Sequence, residues 1–81
     1  MIREILTLIL NKKRVQYYIE FTKKRDRFVF EPGLKNKTAP YFSLEHKEGQ
    51  WVCNQDIDPD LLEQAIQKAQ EISSNDIFDK L

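Results

Sequence analysis

Between Leu6 and Phe30 the chain reads LTLILNKKRVQYYIEFTKKRDRFVF, and its apolar and polar residues alternate except at two knots of positive charge, NKKR and TKKRD. A period of two is the side-chain repeat of a strand with one face buried, and polar charged knots are where such strands turn. Three runs result: Leu6, Leu8 and Leu10; Val15, Tyr17, Ile19 and Phe21; Phe28 and Phe30. A first turn centred on Lys12-Lys13 predicts Leu10 opposite Val15, Leu8 opposite Tyr17 and Leu6 opposite Ile19. A second, at Lys24-Arg25, predicts Phe21 opposite Phe28 and Ile19 opposite Phe30. Both registers gather every apolar partner on one face, which a slip by a single residue would undo. The first segment has a rival reading, because Ile2, Ile5, Leu6, Ile9 and Leu10 also fit one stripe of an amphipathic helix.

After Phe30, Pro32-Gly33 stops the third strand and Pro40 bounds the next, leaving a loop of about eight or nine residues. YFSLEHKEGQWVCN then reads as a hairpin turning at Glu48-Gly49. A two-residue turn sets Leu44 against Cys53 and His46 against Trp51, whereas a three-residue turn with a bulge sets Leu44 against Val52. DIDPDLLEQAIQKAQEIS carries the marks of a helix. Asp58 can cap, Pro59 suits the first turn, and Leu62, Ala65, Ile66, Ala69 and Ile72 form one stripe. The expected fold is α+β in two layers: an antiparallel sheet, made of a three-strand meander and a hairpin, with the C-terminal helix across one face. Residues 1–73 are expected to form a single domain, and 74–81 a tail or short helical turn with Ile77, Phe78 and Leu81 on one side.

Eighty-one residues support one core with little to spare, and 41% hydrophobic with 32% charged residues is ordinary for a folded soluble domain. A single cysteine, Cys53, excludes an internal disulfide and multi-cysteine metal sites; a cytoplasmic, reducing setting is expected. The apolar runs are too short for a membrane span, and no small-residue cleavage site follows the N-terminal one. Net charge is zero, but residues 1–38 carry ten Lys/Arg and four Asp/Glu, and residues 39–81 carry three and nine, so the halves are +6 and −6. Either the halves complement one another or they face different partners.

Catalytic constellations are hard to assemble. His46 and Cys53 are the only thiol dyad available, and a lone cysteine beside Trp51 in a strand reads as a small core residue. The DIDPD segment lacks the glycine and closing glutamate of a calcium loop, and Gly33 and Gly49 are too isolated to cradle a phosphate. No enzyme activity, metal or cofactor is expected.

Two binding readings remain. In the first, Ile5, Ile9, Tyr18 and Val29 project from the face opposite the helix and form an apolar strip for a protein partner or for self-association, sheet to sheet. The second is a single-stranded nucleic-acid module. Lys12, Lys13, Arg14, Lys35 and Lys37 would gather at one end of the sheet and Lys23, Lys24, Arg25 and Arg27 at the other, on the order of 30 Å away. Arg14, Gln16, Tyr18, Thr22 and Arg27 would line the face between them, with Tyr18 offering a ring to a base and Glu20 and Glu31 opposing a phosphate. A meander followed by a helix is similar in shape to some single-strand-binding folds, an analogy of topology.

Overall fold

The computed structural model describes residues 1–24, 26–35 and 38–74. Five strands, β1 (Ile2–Leu10), β2 (Lys13–Phe21), β3 (Arg27–Pro32), β4 (Phe42–Lys47) and β5 (Gln50–Cys53), are followed by one helix, α1 (Pro59–Ser73). The strands form one antiparallel sheet in the order β1-β2-β3-β4-β5, so the expected meander and hairpin join as a single five-strand meander. Residues 2–10 are strand, which resolves the helix-or-strand ambiguity of the first segment.

The first hairpin differs from its expected register. Leu8 faces Val15, Leu6 faces Tyr17 and Glu4 faces Ile19, a shift of two residues from a turn on Lys12-Lys13. The turn is Asn11-Lys12, and both residues have positive φ, 53° and 65°, as a type I′ turn requires. Asparagine tolerates the left-handed region better than most residues, so the turn forms over Asn11. An even slip keeps every side chain on its face, which is why the polarity pattern alone is blind to it. The second hairpin has the expected pairing, Phe21 with Phe28 and Ile19 with Phe30. The last follows the two-residue alternative, Leu44 with Cys53 and His46 with Trp51, turning at Glu48 and Gly49 with φ of 51° and 78°.

One face of the sheet carries the core: Leu8, Val15, Tyr17, Ile19, Phe21, Phe28, Phe30, Phe42 and Leu44. Aromatic rings dominate it. Phe30 and Phe42 stack at 4.7 Å, and the Tyr17 ring meets Phe42 edge-on at 5.8 Å. Tyr17 is wholly buried, yet its hydroxyl donates to the Pro40 carbonyl at 2.7 Å. Desolvation by burial pushes its phenol from 10.0 up to about 12.

Helix α1 covers this face through Leu61, Ala65, Ala69 and Ile72. Leu61, not Leu62, is the fully buried member; Leu62 and Ile66 pack at the margin. Two alanines at the centre of the stripe let the helix lie close above large rings. The N-terminus is capped as expected: Pro59 begins the helix, and Asp58 Oδ1 accepts from the Asp60 N–H at 2.8 Å. The expected turn at Ile77, Phe78 and Leu81 lies outside the described residues.

Candidate interaction surface

The face away from α1 is built by the alternate residues of each strand. Pairing sets Ile5 opposite Tyr18, Arg3 opposite Glu20, Tyr18 opposite Glu31 and Glu20 opposite Val29. Of the four expected strip residues, Ile5 and Tyr18 are therefore direct cross-strand neighbours, and Val29 lies diagonal to Tyr18. Ile9 stands apart, opposite Arg14, with the Thr7–Gln16 pair between it and Ile5. Ile5 is 61% exposed and Ile9 46%; Tyr18 and Val29 are half-buried. Val52 also lies on this face, 47% exposed and opposite Glu45, too far across the sheet to extend the strip directly.

A charged clamp sits at the centre of this face. The Arg3 guanidinium lies 4.4 Å above the Tyr18 ring, 3.5 Å from Glu20 and 3.3 Å from Glu31, so one cation bridges three strands. Sequence reasoning missed it, since Arg3 reaches Glu20 only in the register set by the Asn11-Lys12 turn. The ring that a base would stack on is thus occupied by Arg3 and rimmed by two carboxylates, which repel phosphate.

The described basic residues lie toward the two ends of the sheet. Lys12, Lys13, Arg14 and Lys35 are exposed on the first-turn side, and Lys23, Lys24 and Arg27 on the other. Arg25 and Lys37 lie outside the described residues. The first-turn end is not uniformly cationic: Lys12 shares a depression of about 620 Å³ with Asp58, Asp60 and Glu63 of the α1 N-terminus. There the oppositely charged halves of the chain meet within one molecule.

His46 and Cys53 do not form a dyad. The His46 ring sits 4.8 Å from that of Trp51, and the Cys53 thiol lies 3.9 Å from Asn54 Oδ1. Among the described residues no group of His, Cys, Asp and Glu is arranged to hold a metal ion. Among them, too, no helix is long and apolar enough to cross a membrane.

The outer edge of β1 completes the surface. The Ile9 N–H donates to Gln64 Oε1 at 2.8 Å, and Gln64 Nε2 donates to the Ile9 carbonyl at 2.7 Å. A side-chain amide from α1 therefore occupies the place of a neighbouring strand. Because both backbone groups of Ile9 point away from β2, alternation points those of Arg3, Ile5 and Thr7 outward as well. None of these outward groups has a hydrogen-bond partner among the described residues.

No protein-family model, curated protein or solved structure significantly matches this chain.

Proposed function

We propose that this chain is a small, non-enzymatic protein-interaction domain that works in the cytoplasm and presents β1 to its partner. The observation that carries the reading is the state of that strand. It is a nine-residue edge strand, rich in branched aliphatics, with Ile5 and Ile9 exposed and the outward backbone groups of Arg3, Ile5 and Thr7 without a hydrogen-bond partner among the described residues. A partner there removes apolar surface from water and supplies the missing hydrogen bonds in one step. Ile5 and Ile9 form the apolar contacts, with Tyr18 and Val29 behind them.

A photo-reactive residue placed at position 5, and at the exposed Gln50 of the opposite edge as control, tests this in living cells. Discrete protein adducts are expected from position 5 and not from position 50. Equal, diffuse labelling at both positions would overturn the reading.

A further inference from the structure

The two edges of the sheet are protected unequally. β5 is four residues long, and short edge strands offer little to pair with. β1 has nine residues with no proline or glycine, and Gln64 covers it only at Ile9. The next turns of α1, carrying Gln67, Lys68 and Glu71, line a groove of about 420 Å³ with Ile5 to Leu8, so the helix runs back along β1 beside its open edge. The groove follows the open stretch of β1 and ends at Gln64, which holds the backbone of Ile9.

One residue says what kind of chain fits. Glu4 projects to the helix side of the edge strand, half-buried, opposite the fully buried Ile19. Among the described residues no cation lies within ion-pair distance of it. An inward charge on an edge strand ordinarily repels a further strand. It stops doing so when the arriving chain offers a cation at that level.

We infer that β1 pairs antiparallel with β1 of a second copy about a dyad at Ile5, a proposal that rests on the interaction reading above and names its partner. The open groups of Arg3, Ile5 and Thr7 then meet those of Thr7, Ile5 and Arg3 of the second copy, each pair exchanging two hydrogen bonds. The same register sets Glu4 opposite Leu6 of the second copy. Leu6 shares its groove with Lys68, so each Glu4 reaches the Lys68 of the other chain, twice per dimer by symmetry. Lys68, now 3.7 Å from Glu71 of its own helix, is placed to turn toward that carboxylate. On the outer face Ile5 meets Ile5, joining the two Ile5–Tyr18 pairs into one apolar band.

Edge pairing is favoured over stacking of outer faces by the charged clamp. Face-to-face contact would take Arg3, Glu20 and Glu31 out of water, whereas edge pairing leaves them solvated. With about five residues paired per chain, the contact is smaller than a standard interface, so the dimer is expected to dissociate on dilution.

Sedimentation equilibrium over about 5 to 300 μM tests the proposal with charge-reversed variants. The wild type is expected to dimerise. Glu4→Lys alone and Lys68→Glu alone should each weaken dimerisation by about tenfold or more, since like charges then face each other twice. An equimolar mixture of the two single variants should restore a heterodimer to within about threefold of wild type, because each of the two contacts then again joins one ammonium to one carboxylate. A wild type that stays monomeric, single variants that dimerise normally, or a mixture that fails to recover would each overturn the second-copy proposal. Adducts from position 5 to a different protein would sink the proposal while leaving the interaction reading standing; diffuse adducts would sink that reading too.

Discussion

Replacing Tyr17 with Phe separates two contributions of one hydroxyl. At neutral pH the variant loses the 2.7 Å bond to the Pro40 carbonyl and leaves that oxygen short of a donor. A destabilisation of about 1 to 2 kcal/mol is expected, given the usual net value of a buried hydrogen bond. In alkali the sign reverses. The phenol titrates at 10.0 in the unfolded chain and at about 12 in the folded one. Between these values the unfolded state has released a proton that the native state retains, so stability falls as pH rises. The stabilisation is complete below pH 10 and lost through pH 12, a swing of about 3 kcal/mol at 1.36 kcal/mol per unit. Tyr17→Phe lacks this swing. The two proteins should therefore cross in stability at about pH 11, where the wild type has lost about 1.4 kcal/mol. Urea denaturation of both proteins at several pH values measures the difference directly, and the remaining tyrosines and lysines, common to both, cancel in it. A difference that stays flat from pH 9 to pH 12 would show that Tyr17 is not buried with its proton, and the account of the aromatic core would fail with it.

Four further outcomes are expected from chemical denaturation. Lys12→Gly should stabilise the protein by about 0.5 to 1 kcal/mol, because a lysine now holds a φ of 65° that glycine adopts freely. Gly49→Ala should destabilise by about 1 kcal/mol although no described atom beyond its chain neighbours lies within 4 Å of the added methyl, since the cost is conformational and not steric. Ala69→Leu should destabilise by about 1 to 3 kcal/mol by lifting α1 off the sheet, while a neutral result would mean the helix is loosely seated. Asp58→Ala should remove about 1 kcal/mol with the helix cap.

Much of the fold is legible in the order of residues because each signal is local. Alternation marks five strands, Asp58-Pro59 marks the start of α1, and Phe21 with Phe28 brackets the second turn. The first turn is the exception: two lysines look like a tip, whereas the backbone there demands positive φ and favours Asn11, which moves the pairing by two residues. Polarity cannot report an even slip; turn chemistry can. That slip matters for the surface, since a turn on Lys12-Lys13 sets Arg3 opposite Thr22 and Ile5 opposite Glu20, whereas the observed register pairs Arg3 with Glu20 and Ile5 with Tyr18. The Leu61-for-Leu62 exchange has a different origin: Leu61 stands four and eight residues before Ala65 and Ala69, on the buried stripe itself, whereas Leu62 and Ile66 lie one position further round the helix at its margin. Gln64 could not be read from the sequence, because its bond to Ile9 joins residues 55 positions apart.

The lid on the aromatic sheet is the last of the six elements to leave a ribosome. All five strands can find their neighbours through tight turns and one nine-residue loop while Phe28, Phe30 and Phe42 remain bare on one side, and only when Leu61 to Ile72 arrive does that side dry. Vectorial synthesis thus brings the sticky side of the sheet out ahead of its cover. In that interval chaperones, rather than native partners, are the natural company of this sheet.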